Sequence, residues 1–272
     1  MQKSAPMLYE TFFNRLEKSR WNFSDDIPWK DIKYGVLTDE DLARIKTNAL
    51  IEFTALDATE AFLRDFSGMM DFSAFVSVWY YEEMKHFYVL KKYIEHYGIH
   101  ISEEECQKMR LEIRKASEAN ILTVHFIGEF RLALWYKTYA KLYKKEPVIN
   151  HIYTLVGNDE IRHGTCYLGY LKNLTANNVQ NMITVLKTSL LMLKAQNHPT
   201  VLTGAVGGLQ DSVKLYDHVI KSVSDDDQKQ TYELLFTHLS NLCSTKIQSL
   251  QDILKHLQVL RFESRHGAKA GA

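Results

Sequence analysis

Apolar residues recur at three- and four-residue intervals along most of this chain, and no segment alternates apolar and polar residues between turn signals as a strand would. Behind the capping run Thr38-Asp39-Glu40-Asp41, a stripe of Ile45, Ala49, Leu56 and Leu63 predicts a first long helix, with Glu52 and Thr59 set into it and Gly68 ending it. A second stripe, Phe75, Trp79, Glu83, His86 and Leu90, predicts a helix from about Asp71 to Tyr97, before Gly98. Ser102-Glu103-Glu104-Glu105 opens a stretch that either continues or kinks before a third stripe, His125, Glu129, Leu132 and Tyr136, between about Ile121 and Leu142. Pro147 suits the first turn of a fourth helix to about Leu174, with Val156, Glu160, His163 and Tyr167 in phase. Helices over Val179–Leu193, over Leu209–Val223 and after Ser224 complete an all-α expectation.

The anomaly in these stripes is charge. Glu83-Met84-Lys85-His86 and Glu160-Ile161-Arg162-His163 repeat an E-x-x-H tetrad 77 residues apart, and each is preceded by 31 residues by another glutamate, Glu52 and Glu129. Residues three apart share a helix face, about 5–6 Å between Cβ atoms, so the Glu and His of each tetrad can meet one ion. Four buried carboxylates without counter-charge would each cost several kcal/mol, and two divalent cations would cancel them. One glutamate from each of two helices and E-x-x-H from each of two others is the donor set of a dinuclear site in a four-helix bundle. The predicted metal ligands are Glu52, Glu83, His86, Glu129, Glu160 and His163. Oxygen and imidazole donors without thiolate suit iron, with manganese as an alternative in either position.

Length and composition support one domain. The 272 residues carry 46% apolar content, only four prolines and twelve glycines, with no linker of biased composition. The expected division is 1–37 as N-terminal helix and loop, 38–174 as four-helix metal-binding core, 175–262 as accessory helices and 263–272 as a mobile tail. Lys plus Arg equals Asp plus Glu at 33 each, which gives no overall field for nucleic acid or an acidic membrane. The first residues lack a signal-peptide apolar run, and nothing approaches the ~20 apolar residues of a membrane span, so a cytoplasmic protein is expected. Cys106, Cys166 and Cys243 have no metal-binding spacing and read as reduced thiols.

Glu82 and Asp159 immediately precede the tetrad glutamates. A metal-bound histidine usually donates its other N–H to a carboxylate, and a pseudo-twofold axis would pair Asp159 with His86 and Glu82 with His163. Glu60 competes with Glu52 but breaks the 77-residue relation. His125, one turn before Glu129, reads as a core or hydrogen-bonding histidine and stays outside the ligand set. Lys137, Lys141, Lys144 and Lys145 form a basic stripe that the helix dipole alone would favour, with docking of an acidic carrier protein as the minority reading. Ala49, Ala55, Thr59, Gly157 and Gly164 either leave room for a substrate or let helices pack closely.

At Val78-Trp79-x-x-Glu82-Glu83-x-Lys85-His86 and Asp159-Glu160-x-Arg162-His163 the chain resembles the acyl-carrier-protein desaturases, whose signatures are W-x-x-E-E-x-R-H and D-E-x-R-H. The likeness spans Glu52 to about Tyr167. It implies a ferritin-like fold with two irons on the six matching positions, dioxygen as co-substrate, an external electron donor such as ferredoxin, and a homodimer. The desaturases are usually longer, with more than 31 residues between first and second ligands, so the substrate channel need not be shared. Related families with this ligand logic include arylamine N-oxygenases, aldehyde-deformylating oxygenases, a tRNA-modifying hydroxylase and ferritins. Val156 stands where an N-oxygenase would carry an extra histidine. Leu90 stands where the radical-generating subunit of ribonucleotide reductase has its tyrosine.

The expectation is therefore a non-haem di-iron oxidoreductase that activates dioxygen to desaturate, hydroxylate or otherwise oxygenate an organic, acyl or otherwise apolar substrate, presented as a small molecule or on a carrier protein. The alternatives are an amine N-oxygenase or tRNA-type hydroxylase on the same site, and a ferroxidase or iron-storage protein without organic substrate.

Overall fold

The computed structural model describes residues 8–194 and 221–267. They contain helices joined by turns and short extended segments, and no strand. The expected helix at Leu209–Val223 and the end of the tail, 268–272, lie mostly outside these residues.

Helix α1 (Leu8–Ser19) leads through a single 3₁₀ turn at Trp29–Asp31 to α2 (Asp39–Glu52). Thr38 accepts from the Asp41 amide and Asp41 returns a bond to the Thr38 amide, the capping box that fixes where α2 starts. The predicted single helix to Gly68 is instead two, α2 and α3 (Ala55–Asp65). The interruption falls directly after Glu52: Thr54 N donates to Ile51 O and Asp57 N to Thr54 O, a local tightening to three-residue bonds, and the Thr54 hydroxyl also donates to Ile51 O. The tightened turn shifts the phase of the stripe. Ala55, Ala58 and Phe62 enter the core, while Leu63 is 49% exposed.

Helix α4 (Met70–Glu95) follows, then α5 (Glu103–Lys108), capped by the Ser102–Glu105 box. The stretch after α5 neither continues nor kinks as helix. It ends at Lys108, and the chain runs without regular structure to Ser117, whose hydroxyl caps α6 (Glu118–Leu142). Arg110 anchors this segment through Asp57 and Glu60, and Asp57 also accepts from the Leu111 amide at 2.9 Å. A tight turn through the buried Glu146 leads into α7 (Pro147–Thr175), then α8 (Val179–Lys194). Beyond residue 220 come α9 (Asp225–Cys243) and α10 (Leu250–Gly267), so helix continues past the expected end at 262.

Helices α6 and α7 pack along each other, α2 and α3 lie on α4, and α4 meets α7. Helix α1 covers α4 and α7, while α8 and α10 stack outward from α6. Two apolar clusters fill this arrangement. One holds Phe62, Phe75, Trp79, Phe126, Phe130, Cys166 and Tyr167; the other holds Ile45, Ile51, Phe87, Leu90, Trp135, Tyr136 and Val156. Each of the four helical runs passes from one cluster to the other at or beside its buried glutamate: Glu52 between Ile51 and Ala55, Glu83 between Trp79 and Phe87, Glu160 between Val156 and Cys166, and, on α6, just after Glu129, between Phe130 and Trp135. A polar layer therefore sits between two apolar ones.

Candidate metal centre

Glu52 is the last residue of α2, Glu83 and His86 lie mid-α4, Glu129 mid-α6, and Glu160 and His163 mid-α7. All six are at most 5% exposed. They converge into two overlapping groups, Glu52, Glu83, His86 and Glu160, and Glu83, Glu129, Glu160 and His163, each offering ligand atoms within 4.8 Å of one another. Glu83 and Glu160 belong to both. The 77-residue repeat exchanges the groups, Glu52 with Glu129 and His86 with His163.

Both imidazoles turn Nδ1 inward. His86 Nδ1 lies 3.6 Å from Glu52 and 3.5 Å from Glu160, and His163 Nδ1 lies 3.4 Å from Glu160. His163 Nδ1 also approaches Glu83 Oε1 to 2.9 Å without the alignment of a hydrogen bond. The ring centroids are 6.0 Å apart. Glu83 Oε1, His86 Nδ1, His163 Nδ1 and both Glu160 oxygens are buried with no hydrogen-bond partner. Leaving such atoms unsatisfied is costly, and a pair of cations at the shared carboxylates would satisfy all of them at once. The donors are oxygen and imidazole only. Cys166, nearby on α7, has its thiol pushed up to about 12 by burial, so it stays protonated and offers no thiolate.

The outer ring nitrogens are held as the axis predicts. Asp159 Oδ2 lies 3.0 Å from His86 Nε2, and Glu82 Oε2 lies 2.9 Å from His163 Nε2. Each tetrad thus supplies the carboxylate that orients the other tetrad's histidine, fixing the tautomer that leaves Nδ1 free for a cation. Asp159 also accepts from Trp21 Nε1 at 2.7 Å and pairs with Arg162. Lys85 Nζ lies 4.1 Å from the Trp21 ring centre and donates to its carbonyl, and Arg20 Nε is 3.6 Å from Glu82. Trp21 has no sequence signal: it stands alone in the α1–α2 connection, outside any repeat or spacing.

These cations offset Glu82 and Asp159, not the inner four carboxylates. Burial would raise Glu82, but the His163 bond and the nearby cations outweigh it and hold it down at about 2. Burial pushes Glu52 up to about 8 and Glu129 up to about 7, and raises Glu160 well above the carboxylate range. For Glu83 burial is outweighed by His163, and the net direction is down; for His163 burial is outweighed by Glu160, Glu82 and Glu83, and the net direction is up. In the ion-free chain, protons therefore stand in for the missing positive charge.

Glu60, the rival of Glu52, is on the surface with Arg110. His125 lies beside the centre, its Nδ1 4.0 Å from Glu129, in T-shaped contact with Phe62 and Trp79. Gly157 and Gly164 open no space: a Cβ on Gly164 would stand 2.9 Å from the Phe130 ring and 3.3 Å from Glu129 Cβ, so these glycines let α7 close onto α6. Lys137, Lys141 and Lys144 line a cleft of about 790 Å³ reaching α9, where Lys141 bonds Asp227. No helix among the described residues is long and apolar enough to cross a membrane.

No family model and no curated protein matches this chain.

Proposed function

We propose that the chain is a ferritin-like oxidoreductase that binds two iron ions and uses dioxygen to oxidise an organic, largely apolar substrate, with electrons from an external donor such as ferredoxin. The observation that carries this reading is the pair of four-residue groups sharing Glu83 and Glu160. A single-ion site needs no shared pair, and a purely structural core would not bury four carboxylates away from cations. Iron, when bound, supplies the electrons that reduce dioxygen.

The protein's part follows from its own side chains. Asp159 and Glu82 hold the outer histidine protons and keep both Nδ1 atoms facing inward. The two apolar layers exclude water, which strengthens each interaction of the carboxylates and protects a reactive centre from quenching. Glu83 and Glu160, which belong to both groups, would contribute to holding either ion, while Glu52 with His86 and Glu129 with His163 would each hold one. An apolar cavity reaching Glu52, Glu83 and Glu129 supports an organic substrate over iron storage.

Anaerobic titration with ferrous iron followed by an oxygen pulse tests the proposal. The expected result is two irons per chain and oxygen consumption that quickens with a substrate. Growth of a mineral core would instead establish storage, and a stoichiometry of one ion or none would end the dinuclear reading.

A further inference from the structure

The cavity beside the centre reaches Glu52, Glu83 and Glu129 and opens to solvent beside Arg114, an exposed residue of the segment between α5 and α6 that also lines it. The backbone leading to Arg114 is fastened, since the Leu111 amide donates to Asp57 at 2.9 Å and Arg64 donates to the Ile113 carbonyl at 3.2 Å. Neighbouring cations have partners: Arg110 is taken up by Asp57 and Glu60, and Arg64 by Asp65. Arg114 has neither an ion pair nor a hydrogen bond among the described residues. Of the neutral polar groups in the wall, the Thr54 hydroxyl is engaged with Ile51 O and the Asn120 amide with Thr188, while Trp79 Nε1 is buried without a partner. Guanidinium and indole N–H can only donate. Both therefore call for oxygen acceptors, and Arg114, at the mouth, calls for charged ones, because a carboxylate meets its fork with two charge-assisted bonds.

We propose that the substrate is an amphipathic carboxylate, its anionic group held at the mouth by Arg114 and its hydrocarbon part directed inward toward Glu52, Glu83 and Glu129. This deepens the dinuclear oxidoreductase reading above and rests on it. The wall suits the hydrocarbon part, with Ala55, Ala58 and Phe62 of α3 and Val124 of α6 among its lining. Charge sets the direction. Four carboxylates balance two divalent cations, so the inner end offers no net positive charge to draw a further anion away from Arg114. A chain delivered on a carrier protein would present a neutral thioester in place of this charge and gain nothing from the guanidinium. Because the cavity is open, chain length is not what Arg114 selects; charge and orientation are.

Binding can be measured without turnover. The full chain, loaded with zinc to prevent redox chemistry, is titrated with octanoate and separately with octan-1-ol, probes of matched chain that differ in charge. Octanoate is expected to bind the more tightly, and Arg114→Gln to weaken it about tenfold while leaving octan-1-ol unchanged, with Arg114→Lys recovering part of the loss. Arg114 is exposed, so neither variant threatens the fold. Manganese in place of zinc then reads direction in the unaltered chain: the terminal methyl protons of octanoate, held inward, should relax faster than the methylene protons beside its carboxylate. No octanoate binding, equal affinity for the two probes, no loss in Arg114→Gln or an equal loss for both probes, or faster relaxation beside the carboxylate would each overturn the proposal. Failure of the dinuclear reading shows separately, as loss of the two-ion stoichiometry in the unaltered chain, and the dependence of octanoate binding on Arg114 is still read in that case.

Discussion

Glu83 and Glu160 each face both ligand groups, whereas Glu52 with His86 and Glu129 with His163 face one apiece. Glu83→Gln or Glu160→Gln is therefore expected to abolish binding of both ions. Glu52→Gln should leave one ion per chain, as read by metal analysis after gel filtration. Asp159→Asn keeps the shape but removes the charged acceptor of His86 Nε2 and Trp21 Nε1, and should weaken metal loading about 10- to 100-fold. Trp21→Phe, which removes only one donor to Asp159, should have the smaller effect in the same titration. At this scale the sequence was highly informative, because buried charge obeys a repeat: the convergence of the six side chains and the crossed Asp159 and Glu82 contacts follow from one spacing. Trp21 does not. Its indole reaches Asp159 across 138 residues of chain by tertiary packing alone, which no local pattern encodes.

Helix existence followed from periodicity, and the Thr38, Ser102 and Pro147 starts followed from capping chemistry. The break after Glu52 did not, for a physical reason. Phe53 and Thr54 both stay in the right-handed helical region, with φ of −59° and −67°, so neither glycine nor proline is needed to tighten the turn. The phase error it introduced placed Leu63 in the core when it faces solvent. Glu146 was likewise silent in the sequence. Buried in the α6–α7 turn, it accepts from the Ile149 amide at 2.7 Å, the Tyr93 hydroxyl at 2.8 Å and the Lys33 amide at 3.0 Å, tying α7, α4 and the α1–α2 connection together. Glu146→Ala leaves three donors without their acceptor and should cost about 2–4 kcal/mol in denaturant unfolding. Metal stoichiometry should stay at the unaltered level, since none of these contacts touches the ligands.

The whole molecule places four carboxylates between two apolar layers, and this makes its stability depend on pH and on ions together. Burial lifts Glu52 to about 8 and Glu129 to about 7 from an ordinary 4.5. A raised folded-state pKa gives a contribution that is full below the unfolded value and is lost as pH rises through the folded one. The melting temperature of the ion-free chain should therefore fall as pH rises from about 4.5 to about 8, at roughly 2–4 °C for each kcal/mol lost. Two divalent cations should flatten this slope, because they replace the protons; a slope unchanged by metal would contradict the arrangement. The crossed clasp of Asp159 on His86 and Glu82 on His163 has a further consequence for how the molecule can be divided. A cut in the irregular stretch before Ser117 separates the repeats into two polypeptides, each carrying one E-x-x-H tetrad but lacking the carboxylate that orients its imidazole and the second shared glutamate of its group. Neither fragment alone should retain a cation, and mixing them should restore the pair by complementation.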